Sequence, residues 1–349
     1  MVKILTSVLI GLLFPMILFA QIEENKPDLL FTIGYKYFPT FGSEEIPSAK
    51  ALEYYNGHLY LAFLDRVLKI DMQGNVIYVI KPERAQYITD IAFYKDQLVV
   101  YRPQSYESLT FYQDSIKVRS IFVHFYASNE KELTQRPSTQ GFNNVRFIFN
   151  CNGELYFHNR ILFFPFSYLS QIRVTTHRPI LSKNLEVFVN KEYTKLIDGF
   201  PISDCETVQW RIYRESPRNN YNFNIYDFCS DTISFISKPL PNASCENCNV
   251  SISEFFKNDY IYKYFFVGSI QRKIDKKREF DRILVFLDEN FEVEKVYHSL
   301  EYLQGMYGLS PDKMASFTYD EFGNVYYCTN YHDYSNKRNS YVKIYKIKY

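Results

Sequence analysis

The sequence predicts an all-β fold, and three observations predict it. Aromatic residues make up 18% of the 349 residues, with 32 Tyr and 31 Phe, and such side chains suit half-buried pleated surfaces. Short alternating runs stand too close together for helical crossovers, so neighbouring strands must be antiparallel. A unit of strand, turn and strand recurs, most clearly from Lys313 to Tyr349. There an apolar strand, the Gly323-Asn324 turn, an aromatic strand, a polar loop and the alternating run Tyr341–Tyr349 follow one another. Looser copies upstream predict a six-bladed β-propeller of four-stranded antiparallel blades.

The first twenty residues read as an address. Lys3 supplies a positive charge, Ile4 to Ala20 is apolar apart from Thr6 and Ser7, and Gln21 to Asn25 turns polar. These are the parts of a secretory signal, with cleavage expected after Ala20. The run is short for a full span and contains Pro15, so removal is favoured over an uncleaved anchor. The expectation is an exported chain, periplasmic, cell-surface or secreted, with no stable membrane span and one domain over 21–349. The Phe19-Ala20-Gln21 junction resembles that of exported proteins of the Bacteroides group.

Leu29–Tyr35 is a strand without a neighbour nearby. The first full unit runs through Ala49–Tyr54, His58–Phe63, Val67–Asp71 and Asn75–Ile80. Its Asn56-Gly57 pair supplies the positive φ angles that a two-residue hairpin needs. The second unit holds Ile88–Phe93, Gln97–Tyr101, Leu109–Tyr112 and Val118–Val123. The third holds Asn144–Phe149, Glu154–Phe157 and a strand from Ile161, with Leu185–Val189 as its expected last strand. The fourth, less regular, has Thr207–Tyr213, Tyr221–Tyr226 and Thr232–Ile236, followed by a loop over Pro239–Asn249. In the fifth, Asn258-Asp259 turns into a strand over Tyr260–Val267. A charged excursion over Arg272–Asp281 follows, then Arg282–Asp288 and Glu292–Tyr297. The sixth unit has three strands, and Leu29–Tyr35 is expected to complete it as the fourth. Such a clasp removes open sheet edges that template aggregation.

The stretch Tyr319-Asp320-Glu321-Phe322-Gly323-Asn324-Val325-Tyr326 resembles the NHL-type repeats of six-bladed β-propellers. The resemblance is good over the last unit and fair over Ala49–Ile80. It implies a fold far more than an activity, since the family hosts both binding modules and enzymes.

Composition excludes several classes. Basic and acidic residues number 40 and 39, for a formal +1 at pH 7, so no global field draws the chain to nucleic acid or anionic lipid. The basic run Gln271–Arg278 has no interleaved aromatics to stack bases, and reads as a solvated hairpin loop. No Gly-x-Ser-x-Gly elbow, phosphate loop, dinucleotide fingerprint or His-Glu-x-x-His is present. The six His residues are scattered. No catalytic set, metal site or cofactor is therefore expected.

Residues on the innermost strands would face a central channel. The candidates are Lys50, Asp90, Arg146 and Lys313, with Glu53 further along. Such a mix of acids and cations suits an anionic or polar ligand, or a charge-balanced wet channel, better than a calcium or zinc cage. Of the six cysteines, Cys205, Cys229, Cys245 and Cys248 fall in one irregular region and are expected to form disulfides, while Cys151 and Cys328 read as buried free thiols. The functional expectation is an exported binding or scaffold protein that engages a peptide, glycan or protein. The alternative is a metal-dependent enzyme of lactonase or lyase type with its site in the channel.

Overall fold

The structure is a computed structural model that describes residues 27–37, 49–82, 87–102, 109–121, 145–151, 154–159, 162–165, 200–203, 206–210, 220–227, 230, 232–241, 248–258, 260–274, 277–298, 317–331, 333 and 335–349. Among these the secondary structure is strand, apart from two single-turn 3-10 helices at Tyr35–Tyr37 and Lys337–Asn339. The N-terminal strand is β1 (Asp28–Gly34). Sheet 1 is the meander β2 (Ala51–Tyr55), β3 (His58–Ala62), β4 (Val67–Ile70) and β5 (Val76–Ile80). Sheet 2 is β6 (Asp90–Tyr94), β7 (Gln97–Tyr101), β8 (Leu109–Gln113) and β9 (Ile116–Ile121). Sheet 3 shows β10 (Val145–Cys151), β11 (Glu154–Asn159) and β12 (Leu162–Pro165). Sheet 4 is β13 (Phe200–Pro201), β14 (Glu206–Gln209), β15 (Asn220–Asp227) and β16 (Thr232–Pro239). Sheet 5 is β17 (Asn249–Asn258), β18 (Lys263–Ile274), β19 (Lys277–Leu287) and β20 (Val293–Tyr297). Sheet 6 is β21 (Phe317–Tyr319), β22 (Val325–Tyr331) and β23 (Tyr341–Ile347), and its fourth strand is β1. Strand β1 runs antiparallel to β23, from Gly34 opposite Tyr341 to Asp28 opposite Lys346, with a bulge between Leu29 and Phe31.

Strands of sheets 5, 6 and 1 are apolar on both faces because each of these sheets is covered on both sides. Side chains alternate across a strand, so adjacent residues enter different cores. On β22, Val325 and Tyr327 join Phe265, Leu284 and Phe286 between sheets 5 and 6, while Tyr326 and Cys328 join Leu52, Leu61 and Ile344 between sheets 6 and 1. On β3, Leu59 and Leu61 face sheet 6, while Tyr60 and Ala62 pack with Ile91, Val100 and Tyr112 of sheet 2. On β19, Ile283, Val285 and Leu287 pack with Phe223 and Val208 of sheet 4. Sheets 4, 5, 6, 1 and 2 are thus stacked face to face in that order. Sheet 3 follows, with β10 and β11 against β6.

The turns explain why the chain reverses where it does. At Asn56-Gly57 the φ angles are 47° and 74°, at Lys95-Asp96 they are 48° and 62°, and Asp114 has φ 53°. Two further turns repeat one motif. The Asp71 carboxylate accepts from the backbone N–H of Gln73 and Asn75 and from the Asn75 side chain, and Gly74 takes φ 88°. Asp320 does the same with Phe322, Asn324 and the Asn324 side chain, and Gly323 takes φ 85°. Asp288 builds a variant, accepting from Asn290 and Glu292, with Phe291 at φ 60° in the glycine position.

Sheet 5 departs from the sequence reading. The expected strand Tyr260–Val267 begins only at Lys263. Asn258 Oδ1 accepts from the N–H of Tyr260 and Ile261, and Tyr262 takes φ 53°, so these residues are still turning. The expected charged excursion over Arg272–Asp281 is instead the far end of the longest hairpin, which pairs as far as Ile274 opposite Lys277. Its register sets Arg272 opposite Glu279. The first strand of this sheet, β17, and the two-residue β13 carry no expectation from the sequence. The segments 1–20 and 185–189, read respectively as the signal and a strand, lie outside the described residues.

Candidate functional site

The first strands of neighbouring sheets lie side by side. Strand β2 contacts β21 on one side and β6 on the other, and β6 contacts β10. Polar groups on these strands meet. Thr318 of β21 donates its hydroxyl to Glu53 Oε2 of β2 at 3.2 Å and accepts the Tyr54 N–H at 2.9 Å. Asn330 and Ala49 add a second link, with the Ala49 N–H on Asn330 Oδ1 at 2.8 Å. Glu53 keeps partial contact with solvent although protein encloses it closely. That burial pushes its carboxyl well above the usual range, the Asp90 charge adds to the effect, and the Thr318 hydrogen bond opposes it. Asp90, itself buried, accepts the Ile91 N–H at 2.9 Å. Burial and then the Asp90 charge also raise the Tyr101 phenol. Arg102 is 1% exposed and donates to Thr110 Oγ1 at 2.8 Å.

Of the four residues expected to line a channel, Asp90 stands at the head of β6 and joins Glu53 electrostatically. Lys50 immediately precedes β2, half-buried, with its N–H on the Ala62 carbonyl. Arg146 is placed by backbone alone on β10, and Lys313 lies outside the described residues. Glu53 and Asp90 form an acidic pair, and no group of three or more potential metal ligands occurs among the described residues. Cys248 is fully buried in the core between sheets 4 and 5. Cys205, Cys229 and Cys245 lie outside the described residues. Cys328 is a buried free thiol.

A second polar site opens between sheets 1 and 2. It is a groove of about 440 Å³ lined by residues of β2, β3, β4, β5, β6, β7 and β8 and of the turns between them. The Tyr55 and Phe93 rings stack with centroids 3.9 Å apart and 8° between planes, and Tyr60 meets Phe93 edge-on at 4.8 Å. The Lys69 ammonium lies 5.2 Å from the Tyr78 ring centroid and 5.7 Å from that of Tyr60. Two carboxylates stand at the lip, Asp96 from the β6–β7 turn and Asp114 from the β8–β9 turn. The Tyr55 hydroxyl donates to Asp96 Oδ1. Burial, followed by Asp96, pushes the Tyr55 phenol up to about 12.

Sequence reading did not single out this groove, although a signal exists. Aromatic pairs stand just before three turns: Tyr54-Tyr55 before Asn56, Phe93-Tyr94 before Lys95, and Phe111-Tyr112 shortly before Asp114. A meander places its first and third turns at the same edge of the sheet. Aromatic residues beside those turns therefore gather at one rim.

No known family profile matches the chain, and no curated protein matches it. Solved structures do. The Pan2 WD40 domain of Neurospora crassa aligns over 93% of this chain and 97% of its own, at 8% identity and a TM-score of 0.39. The N-terminal domain of Nup159 aligns over 93% of this chain and 96% of its own, at 10% identity and a TM-score of 0.36. The extracellular domain of a hybrid two-component system from B. thetaiotaomicron aligns over 89% of this chain and 34% of its own, at 10% identity and a TM-score of 0.33. At these identities and scores nothing of those proteins' roles transfers to this chain.

Proposed function

We propose that the chain is an exported six-bladed β-propeller of NHL type that serves as a binding or scaffold module. In this reading residues 1–20 are a cleaved signal and 21–349 form one domain. Strand β1 closes the ring by completing the last blade. The continuous succession of face-to-face sheets and the pairing of β1 with β23 support the architecture. The single observation that supports binding is the aromatic groove between sheets 1 and 2. A concave site with stacked rings and a few polar groups is the usual form of a ligand site. The partner would be a peptide, a glycan or a protein surface.

A combined glycan and peptide array tests the reading. Binders are expected, and their capture should fall for a Tyr55→Ala/Tyr78→Ala variant that retains its fold by circular dichroism. Failure of every probe on the array, with folded protein, would overturn it. The Glu53–Asp90 pair favours a second reading, a metal-dependent enzyme of lactonase or lyase type. Elemental analysis of the purified chain separates the two, because stoichiometric calcium or zinc is expected only of the enzyme.

For the four clustered cysteines we infer disulfides, with Cys248 as one partner. Mass measurement after alkylation with and without reductant would show a reductant-dependent gain of label at Cys248, and labelling without reductant would overturn the assignment.

A further inference from the structure

Five aromatic rings line the groove between sheets 1 and 2: Tyr55, Tyr60, Tyr78, Phe93 and Tyr112. Its ionic groups are Asp96, Asp114 and Lys69, with His58 nearby. The His58 ring donates Nδ1–H to the Asn56 carbonyl at 2.8 Å. Lys69 makes no ion pair among the described residues. Its ammonium rests over the faces of Tyr60 and Tyr78 instead, so the groove already holds one cation on π surfaces.

The carboxylates set the sign of the field. Asp114 is exposed, forms no hydrogen bond or ion pair among the described residues, and acts on both inner phenols. Tyr60 is raised first by burial, then by Tyr78 and by the Asp114 charge. Tyr78 is raised by burial and by Asp114, with Tyr60 acting in the opposite direction. Tyr55 is raised by burial and by Asp96. Two carboxylates against one ammonium leave the groove net negative. Negative potential and ring faces together favour a cation. A planar guanidinium uses both, since it stacks on rings and forks onto a carboxylate.

We propose that the groove receives an arginine side chain from a basic peptide segment of a partner, stacked on the half-buried rings of Tyr55 and Tyr78 and held by Asp114 and Asp96. The proposal rests on the binding reading above and names the ligand class of that site. Lys69 competes with the incoming cation, because it occupies ring faces that the guanidinium would use.

Calorimetric titration of the full chain tests it with three probes: an arginine-bearing pentapeptide blocked at both ends, the same peptide with citrulline in place of arginine, and a neutral hexose oligosaccharide. The arginine peptide should bind, and citrulline should weaken binding at least roughly tenfold, because charge-assisted contacts are lost. Added salt should weaken the arginine peptide and leave the citrulline peptide unmoved. Asp96→Asn/Asp114→Asn should weaken the arginine peptide by a similar factor. Asn tolerates the left-handed backbone at both positions, so this variant keeps its turns. Lys69→Met should tighten binding by removing the internal competitor. Equal affinity for both peptides, or affinity unchanged in the double variant, overturns the proposal. Oligosaccharide binding that depends on Tyr55 and Tyr78, without arginine binding, overturns the cationic class but leaves the binding reading standing. Silence of all three probes overturns the cationic class, while the array decides the broader reading separately.

Discussion

Asp320 shows how one side chain can fix a turn. It is 2% exposed, and its carboxylate accepts from two backbone N–H groups, the Asn324 amide and the Tyr326 hydroxyl. Removing it strands the buried Tyr326 hydroxyl and three part-buried donors, and a buried donor left unpaired costs about 1–3 kcal/mol. Asp71 makes the same backbone contacts at the surface, where water can replace it. Asp320→Ala should therefore cost about 3 kcal/mol or more in urea unfolding, and Asp71→Ala clearly less. Equal costs would show that burial does not set the value of the motif.

Glu53 gives a pH-dependent expectation. Its folded-state pKa is raised, first by burial and then by Asp90. A raised carboxyl pKa means that the folded chain binds more protons than the unfolded one above the ordinary value of 4.5. Stability through Glu53 is then fully present below that value, and is lost as pH rises toward the folded pKa. Glu53→Gln should consequently become more stabilising, relative to the parent chain, between about pH 4.5 and the raised pKa. Denaturation midpoints measured across that range check this. A constant difference would place Glu53 in water rather than against Asp90. Part of this site was legible in the sequence, since Asp90 and Glu53 were both placed on first strands. That the two act on each other depends on how β2 and β6 lie side by side, which spacing along the chain does not encode.

Among the elements, hairpins with turn signatures were legible and long charged strands were not. Asn56-Gly57 and Gly323-Asn324 announce themselves because only a few residue types tolerate positive φ. The β18–β19 hairpin hides, because its basic run reads as solvated charge while the ladder continues as far as Ile274 opposite Lys277. The β17 strand hides behind the irregular cysteine-bearing segment. Gly268 sits where the backbone of β17 leaves no room for a side chain on β18. A Cβ placed there would lie 2.4 Å from the Ser251 carbonyl oxygen, and the hydroxyls of Ser251 and Ser269 meet beside it at 2.7 Å. Backbone cannot yield as a flexible side chain would. Gly268→Ala should destabilise the chain by about 1–3 kcal/mol as an overpacking change, and should speed amide exchange in β17 and β18 first. Unchanged exchange would mean that the two strands separate freely.

At the scale of the whole molecule the decisive contact joins the two ends of the described chain. Ile33 of β1 is 1% exposed in the core shared by sheets 6 and 1, and Phe31 lies under the β4–β5 turn, where a Cβ on Gly74 would stand 2.8 Å from its ring. Strand β1 therefore does two things: it pairs β23 along its length, and it fills part of the seam between first and last sheets. The two contributions can be separated. Ile33→Ala leaves the backbone ladder intact and should cost about 2–5 kcal/mol, the range for a large-to-small core change, with the chain remaining monodisperse. Deleting residues 28–34 removes the ladder as well. It should lower the melting temperature further and produce concentration-dependent association, because β23 then offers a row of unpaired N–H and C=O groups to other copies. A synthetic peptide of residues 27–37 added in excess should suppress that association by reoccupying the edge. A deletion variant that melts and sediments like the parent chain would mean that sheet 6 is complete without β1, and the closed ring proposed here would lose its fastening.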